Sequence, residues 1–353
     1  MTKSNKKDSR LDKRKVGKNK RKLFFFIGIP LFVLLLTALF YGNHLYKTAE
    51  KLVESSFEEI ERENGSDVSE LREEPINPVA DNVSILIIGV DDSEERNYNE
   101  HSRSDALILA TFNKEEGDVK LLSIPRDSYV FVPEVGDYTK INHAHFFGGA
   151  KATVETVENF LNVPVDYYVK LNFDAFIEVV DSLGGIMYNV PFEMYELDSD
   201  DNRNAIHLTP GYKNLSGEEA LAVARSRKYD SDIERGKRQQ EIIKAVVKQS
   251  ASVSSITKLD NVITAVGDNM TTNLTFDEMK SFLSYGLKKD INITSLHLEG
   301  EGGKLEDGLW YYQVNEESRA TVEDELRQHL DLSIQNSNHS KLSQADDKSV
   351  NMY

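Results

Sequence analysis

The chain from residue 83 onward alternates short apolar runs with segments of helical periodicity. The apolar runs have the length and the Val, Ile and Leu content of β-strands, and they cover residues 83–90, 106–112, 120–124, 129–132, 293–298 and 310–314. The first two runs are almost continuously apolar, which is typical of strands buried on both faces. The pattern therefore predicts a sheet that is covered on each side.

Helical segments lie between and after these strands. Apolar positions recur at helical spacing in residues 149–161, 173–183, 216–226, 235–251 and 317–330. Ser216 followed by Glu219 forms a capping box, which predicts where the third helix begins. Strands interleaved with helices predict an α/β domain with a central mixed sheet flanked by helices, an α-β-α sandwich.

One segment near the N-terminus is apolar throughout. Residues 23–40 contain no charged side chain, and this length, at about 1.5 Å per residue, just spans a hydrocarbon core. The segment predicts a single transmembrane anchor over residues 23–41. A cleaved signal peptide is the alternative, but Phe40-Tyr41-Gly42-Asn43 is a poor cleavage site.

The net charge of −17 hides a division along the chain. Residues 1–22 hold eleven Lys or Arg against Asp8 and Asp12, a balance of +9, so the remainder carries −26. The basic block before the anchor predicts a cytoplasmic N-terminus and an extracellular body at the cell membrane, and it also attracts the anionic lipids of the bilayer. An acidic body argues against nucleic acid as a partner.

The rest of the chain divides by composition. Residues 42–81 are rich in Glu, Asp, Ser and Asn and predict a stalk. Residues 82–330 hold the predicted strands and helices of one extracytoplasmic catalytic domain, and the polar residues 331–353 predict a disordered tail. The sequence contains no Cys, which fits an exported bacterial domain that does not depend on disulfides.

Arginines cluster in one part of this acidic domain. Four of them fall within fourteen positions: Arg225, Arg227, Arg235 and Arg238. Arg235, Arg238 and Gln239 are spaced i, i+3, i+4 and share a helical face, and guanidinium groups match the geometry of phosphate oxygens. The cluster predicts an anionic phosphate ligand. The alternative is a solvated surface with ion pairs to Asp232 and Glu234.

Acidic residues lie at the ends of the first two predicted strands. Asp91 and Asp92 follow the first strand, and Asp105 precedes the second. Neighbouring strands bring such carboxylates to one sheet edge, where two of them suit Mg²⁺; the alternative is that they only start a turn and cap an element. Arg126 lies just past another strand end, where α/β domains commonly bind ligands, or it forms a structural salt bridge with Asp127.

Several other chemistries lack their motifs. The sequence has no Gly-x-x-x-x-Gly-Lys-Ser/Thr loop, which argues against nucleotide hydrolysis, and no Gly-x-Ser-x-Gly elbow, which argues against acyl transfer. His143 and His145 form a His-x-His pair of a kind that binds zinc, but no third ligand stands out at the usual spacing.

Taken in order, these motifs resemble the LytR-CpsA-Psr family of bacterial cell-wall enzymes. The resemblance runs over residues 83–249, about half of the chain, and the ordered set is highly specific. The residues that carry it are Gly89-Val90-Asp91, Arg103-Ser104-Asp105, Ser123-Ile124-Pro125-Arg126-Asp127, Lys140-Ile141-Asn142, Gly184-Gly185-Ile186, and Arg225-x-Arg227 with Asp232, Arg235, Arg238 and Gln239.

The resemblance implies roles for these residues. Asp91 and Asp105 would hold Mg²⁺ as the cofactor. The pyrophosphate of a polyprenyl lipid would be held by Arg126, Arg225, Arg227, Arg235 and Gln239, with Arg238 on the same helical face. A hydrophobic groove is also implied for the lipid tail, at a place the sequence does not locate. Family members often carry an Arg soon after the Gly-x-Asp element, and Arg96 is the arginine that follows it here.

The implied function is a Mg²⁺-dependent phosphotransferase of cell-wall biogenesis in a Gram-positive-type bacterium. A sugar hydroxyl of peptidoglycan attacks the phosphorus attached to the glycan of a polyprenyl-pyrophosphate carrier, and polyprenyl phosphate leaves. Arg126 takes part in catalysis, and Asp232 is the candidate base because it lies beside the arginines. The glycan stays open, with wall teichoic acid and capsule polysaccharide both possible.

Three rival functions also stay open. A pyrophosphatase would act on the same lipid with water in place of the sugar. A membrane-bound transcriptional regulator would have to bind DNA through residues 1–22, which are too few to fold as a helix-turn-helix. A noncatalytic wall-binding protein would function without Asp91 or Arg126.

Overall fold

The structure is a computed structural model that describes residues 50–62, 68–78, 80–91, 102–226, 232–252, 269–286 and 292–333, together with positions 43, 46–48, 65 and 228. The chain forms two compact units, Met1–Lys51 and Leu52–Tyr353, and the described positions of the first unit are helical. The predicted basic segment, the anchor over residues 23–41 and residues 334–353 of the predicted tail lie outside the described residues. Within the described ranges, no helix combines the length and the apolar character needed to cross a bilayer.

The second unit alternates strands and helices. In chain order the described strands are β1 (Val83–Val90), β2 (Ser104–Asn113), β3 (Asp118–Ser123), β4 (Tyr129–Val132), β5 (Asp137–Lys140), β6 (Tyr167–Leu171), β7 (Ile186–Val190), β8 (Met194–Glu196), β9 (Ile206–Leu208), β10 (Gly211–Leu215), β11 (Met270–Thr272), β12 (Asn292–Leu296), β13 (Gly300–Lys304) and β14 (Trp310–Val314). The described helices are α1 (His143–Leu161), α2 (Phe173–Ser182), α3 (Gly217–Arg225), α4 (Asp232–Ser252), α5 (Phe276–Gly286) and α6 (Glu316–His329).

Six of the strands form the central sheet, in the order β11-β6-β1-β2-β3-β12. β1 pairs parallel with β6, and β12 pairs parallel with β3. The other neighbours are antiparallel. The sheet is therefore mixed, as the sequence predicts.

Helices cover both faces of this sheet because alternate strand residues point to opposite sides. On one face Leu86 packs in a cluster with Val157 of α1 and Leu326 of α6. On the other face Ile108 packs in a second cluster with Ile243 of α4. The predicted mixed sheet flanked by helices is confirmed for the described residues.

Local signals place several element boundaries correctly. The predicted strands 83–90, 129–132 and 310–314 coincide with β1, β4 and β14. The capping box is also present: the Ser216 hydroxyl accepts from the Glu219 N–H at 3.3 Å, and the Glu219 carboxylate accepts from the Ser216 N–H at 2.9 Å.

Other elements do not follow from the apolar pattern. The strands β5 to β11 are short, and most carry polar or exposed residues, so they show no apolar run. Helix α1 begins at His143, earlier than the predicted start at residue 149. The reason is a kink at Gly148 and Gly149, where Gly149 has φ 62° and interrupts the helical periodicity.

Most of the segment predicted as a stalk belongs to the second compact unit, which begins at Leu52. Ile60 is part of the main hydrophobic cluster. The Arg62 guanidinium pairs with Glu158 and donates to the Val165 carbonyl at 3.0 Å. Polar composition suggested a solvated spacer, but buried ion pairs attach these residues to the domain.

The ion pair between Arg72 and Asp166 is the clearest of these attachments. Arg72 donates Nε to Oδ1 of Asp166 at 2.9 Å and Nη2 to Oδ2 at 2.6 Å. The side chains are 8% and 2% exposed. Asp166 also accepts from the backbone N–H of Ser84 at 2.8 Å, so the pair connects this segment to the start of β1.

We expect Arg72→Met to lower the free energy of unfolding by about 3–5 kcal/mol, because it leaves the Asp166 carboxylate buried without its guanidinium partner. Urea denaturation measures the change. Lys237→Met is the control, since the Lys237–Glu234 pair is 44% and 49% exposed and should contribute only about 0–1 kcal/mol. Equal effects of the two substitutions would show that the segment is not an integral part of the domain.

Candidate functional site

A cavity of about 380 Å³ lies between the central sheet and helices α2, α3 and α4. Its wall combines apolar and charged side chains. The apolar residues are Ile87, Ala106, Ile108, Leu171, Phe173, Phe176, Leu197, Leu221, Ala222, Ala224, Ile242 and Ile243. The charged residues are Asp91, Asp105, Glu196, Arg225, Lys228 and Arg235, and Gly89, Asn172 and Gln239 complete the lining.

The sheet forms the floor of the cavity through the pairing of β1 with β2. Gly89 lies opposite Ala106, and Ile87 lies opposite Ile108. Gly89 and Ala106 are small, and a Cβ added at Gly89 would come within 3.1 Å of the Ala106 Cβ. This pair therefore leaves room above the sheet, whereas the neighbouring residues Leu86 and Ile88 belong to the core on the other side.

Two carboxylates lie where this floor ends. Asp91 directly follows β1, and Asp105 is the second residue of β2, not a residue before it. Antiparallel pairing brings the end of β1 to the start of β2, with Val90 opposite Ser104. Both aspartates consequently line the cavity, at the common sheet edge where the sequence predicts them.

Arg126 reaches this edge by contacting Asp105. Its Nη1 donates to Asp105 Oδ1 at 2.5 Å, and its Nε lies 3.6 Å from Asp127 Oδ2. Asp127 also pairs with Lys140, whose Nζ lies 2.8 Å from Oδ1. Arg126 is not among the residues that line the cavity. It contacts the lining residue Asp105 from outside and is the second member of a series of charges of alternating sign, Asp105, Arg126, Asp127 and Lys140.

Basic residues lie on the helical side of the cavity. Arg225, Arg235 and Gln239 are brought together there, as the sequence predicts, and Lys228 joins them. The guanidinium of Arg225 lies 4.5 Å from the centroid of the Phe173 ring. Its Nη2 lies 3.4 Å from Asp201 Oδ1.

Arg238 faces away from this cavity. It is 6% exposed, and it donates Nε to the Val223 carbonyl at 3.2 Å and Nη2 to the Ser226 carbonyl at 2.6 Å. Burial lowers the pKa of the Arg238 guanidinium, while the charges of Tyr188 and Glu196 act in the opposite direction. The sequence predicts Arg238 as one of the arginines that bind the pyrophosphate. Its contacts instead stabilise the backbone at the end of α3.

Glu196 also contacts the residues at the end of α3, and the sequence does not predict it as a site residue. It is buried, accepts from the Ser226 hydroxyl at 2.7 Å and lies 3.2 Å from Lys228 Nζ. No motif marks Glu196, since it lies in the short strand β8. Lys228 directly follows the Arg225-Ser226-Arg227 motif, and this position is the only feature of the sequence that could have predicted it as a site residue.

Some predicted site residues lie outside the described part of the chain. They are Arg96 and Arg227. The backbone of Asp232 begins α4, and its side chain is likewise not described.

Each histidine of the His-x-His pair forms a hydrogen bond within the domain. His145 is buried and donates Nδ1–H to the Ser102 carbonyl at 2.7 Å. His143 Nδ1 lies 2.8 Å from the Thr139 hydroxyl. Burial, and then the charges of Arg103 and Lys140, lower the pKa of His143.

The fold and the cavity together define a class of protein. It is an α/β domain with an amphipathic cavity, in which apolar walls are combined with carboxylates and cationic side chains. The LytR_cpsA_psr family model matches residues 43–328. The chain belongs to this family, and the resemblance found in the sequence is confirmed.

Relatives and solved structures cover most of the chain. The polyisoprenyl-teichoic acid–peptidoglycan teichoic acid transferase TagU of Halalkalibacterium halodurans is 38% identical over 89% of this chain and 100% of its own length. A structure of TagT bound to LIIa-WTA has a TM-score of 0.66 and 36% identity over 76% of this chain and 98% of that one. A structure of YwtF (TagT) with bound octaprenyl pyrophosphate lipid has a TM-score of 0.62 and 32% identity over the same shares.

We expect Arg238→Met to lower the free energy of unfolding by about 2–4 kcal/mol, because it removes two hydrogen bonds from a charged donor to buried carbonyls. Chemical denaturation measures the loss. Arg225→Met is the matched control: its side chain is 25% exposed, so its removal should cost about 1 kcal/mol or less. A stability of Arg238→Met equal to wild type would contradict the supporting role.

Proposed function

We propose that this chain is a phosphotransferase that moves a glycan phosphate from a polyprenyl-pyrophosphate carrier onto peptidoglycan and releases polyprenyl phosphate. The observation that carries the proposal is the amphipathic cavity, whose apolar walls suit a polyprenyl chain and whose polar end suits a pyrophosphate. The names of the TagU and TagT relatives support it. They also make a teichoic acid the first glycan to test.

The pyrophosphate would lie among Arg225, Arg235 and Gln239. Pyrophosphate spreads its charge over two phosphorus centres, so several forked donors suit it better than a single cation. Arg225 and Arg235 come from different helices and line the same cavity, which lets them approach a ligand from two directions. Lys228 adds a further positive charge to this wall.

Mg²⁺ is the cofactor that we propose for the acidic edge. Asp91 and Asp105 both border the cavity, and such a pair of carboxylates beside space for phosphate oxygens and water fits the preferences of this ion. When bound, Mg²⁺ supplies positive charge that offsets charge on the phosphate oxygens.

The chain's own residues would carry out the transfer by binding and orientation. The acceptor hydroxyl forms a bond to the glycan-linked phosphorus as the bond to the bridging oxygen breaks, and that oxygen leaves with polyprenyl phosphate. The arginines stabilise charge that develops on the leaving phosphate. Arg126 holds Asp105 in place from outside the cavity. Asp232, at the start of α4, stays the predicted base for the hydroxyl proton.

Residues 23–41 would anchor the protein in the cell membrane with the second unit outside. With this orientation, residues 82–330 would lie on the side of the membrane where peptidoglycan lies. The basic residues 1–22 support a cytoplasmic N-terminus.

We expect the full-length protein in detergent, given a polyprenyl-pyrophosphate-linked teichoic acid precursor and peptidoglycan oligomers, to release polyprenyl phosphate and join the glycan to the oligomer. Mass spectrometry of both products follows the reaction. Asp105→Asn and Arg225→Met should each reduce transfer by at least about a hundredfold, because electrostatic stabilisation is the main form of catalysis in phosphoryl transfer.

Two controls separate the alternatives in this experiment. Tyr212→Ala changes a side chain that is 71% exposed and does not line the cavity, so it should leave transfer unchanged. The wild-type protein treated with a chelator should lose activity that Mg²⁺ restores. Lipid phosphate release without joining would instead identify a pyrophosphatase, and no release from any precursor would contradict the proposed function.

We expect Ala224→Phe to reduce kcat/KM about tenfold or more for an undecaprenyl donor, because the larger side chain enters the apolar part of the cavity. A farnesyl donor bearing the same glycan is the control and should be affected much less, since it needs less of the cavity. Equal losses with the two donors would show that the cavity does not hold the lipid tail.

A further inference from the structure

Aromatic side chains form an exposed surface on the β4–β5 hairpin. We call this surface the aromatic face; it consists of Tyr129, Phe131 and Tyr138. Tyr129 and Tyr138 are 37% and 56% exposed, whereas Tyr311 on the neighbouring hairpin is only 5% exposed and packs against Tyr129. The ring of Tyr129 lies 5.5 Å from that of Tyr138 and 5.0 Å from that of Tyr311, and Phe131 lies 5.6 Å from Tyr138. Exposed apolar surface of this kind commonly marks a binding site.

Backbone and side-chain contacts hold the face in one arrangement. The Tyr311 hydroxyl donates to Asp307 Oδ2 at 2.6 Å, and this hydrogen bond raises the pKa of Tyr311 to about 12. The Tyr312 N–H donates to the Asp127 carbonyl at 2.9 Å, which joins the β13–β14 hairpin to the chain just before β4. The β13–β14 hairpin is therefore bonded to the chain beside the face, and its buried Tyr311 ring supports Tyr129.

Trp310 does not belong to the face. It directly precedes Tyr311 in β14, so its side chain points to the opposite side of the strand, where its ring lies on Gly302 of β13. The rings of the face instead pack on one another and on Tyr311. Rings ordered before binding lose little conformational entropy when a ligand arrives.

The aromatic face adjoins the acidic edge of the cavity. Tyr129 begins β4 only three residues after Arg126, and Lys140 ends β5. Lys140 Nζ lies 5.5 Å from the centroid of the Tyr311 ring and 2.8 Å from Asp127 Oδ1. Arg126, in turn, contacts both Asp127 and Asp105. A continuous set of contacts therefore leads from the exposed rings to a residue that lines the cavity.

We propose that the aromatic face binds sugar rings of the acceptor glycan, an inference that rests on the proposed transferase function. Pyranose rings have apolar C–H faces and polar edges, and tyrosine likewise combines an apolar ring with a hydroxyl. The position also agrees with in-line displacement, in which the attacking oxygen lies opposite the leaving oxygen. The lipid leaves from the apolar cavity, so the acceptor approaches from the side of Asp105 and Arg126, where the face lies.

Isothermal titration calorimetry of the full-length protein measures this interaction directly. We expect a chitin tetrasaccharide to bind saturably. Tyr138→Ala should raise the apparent Kd about tenfold, because loss of a central aromatic contact typically costs about 1.4 kcal/mol or more. Tyr212→Ala replaces a tyrosine at a distance from the face and should leave the Kd unchanged.

Kinetics separate the acceptor from other occupants of the face. We expect Tyr138→Ala to raise the KM for peptidoglycan oligomers about tenfold while the KM for the lipid-linked donor stays the same. A rise in the donor KM alone would assign the face to the donor glycan and overturn the proposal. Binding that requires the stem peptide, or a wild-type protein that does not bind the tetrasaccharide, would also overturn it.

Failure of the proposed function is distinguishable from failure of this inference. Tetrasaccharide binding that Tyr138→Ala weakens about tenfold, in a protein that transfers no glycan, would support sugar recognition and refute the transferase. Efficient transfer with an unchanged acceptor KM in Tyr138→Ala and in Tyr129→Ala would support the transferase and refute the role of the face.

Discussion

The antiparallel pairing of β1 with β2 is the constraint on which the site depends. Its register places Gly89 opposite Ala106 on the cavity side, and it brings Asp91 and Asp105 to one edge. Because strand side chains alternate between faces, a slip of one residue would turn Leu86 and Ile88 into the cavity and bury the small pair in the core. The same hydrogen bonds therefore build the hydrophobic core, the apolar floor and the acidic edge.

Charged side chains extend this edge toward the surface in alternating sign. Asp105 pairs with Arg126, Arg126 approaches Asp127, and Asp127 pairs with Lys140 at 2.8 Å. Each charge is only partly exposed, so each needs an opposite neighbour to offset its desolvation. This arrangement connects β4 and β5 to the acidic edge of the cavity, and with them the aromatic surface of the β4–β5 hairpin.

Neighbouring polar side chains of helix α4 have different roles because they point in different directions from the helix axis. Successive residues turn by about 100°, so Gln239 lies close to the direction of Arg235, whereas Arg238 is offset to the other side. Arg235 and Gln239 line the cavity, while Arg238 donates to two carbonyls at the end of α3. Glu196 holds the same turn through Ser226. The cationic wall thus depends on Arg238 and Glu196, two buried residues whose contacts support the end of α3.

The sequence by itself determined the order of the main strands and helices, the start of α3 and the placement of Asp91 and Asp105 at one sheet edge, because these follow from local periodicity, capping and the adjacency of consecutive strands. It also indicated an arginine-rich site through residue chemistry. Only the tertiary structure decided that Arg238 supports a turn, that Glu196 and Lys228 belong to the site, and that residues 52–81 join the domain. Those outcomes depend on contacts between residues far apart in the chain, such as Arg72 with Asp166, and local patterns carry no information about which distant partner a side chain meets.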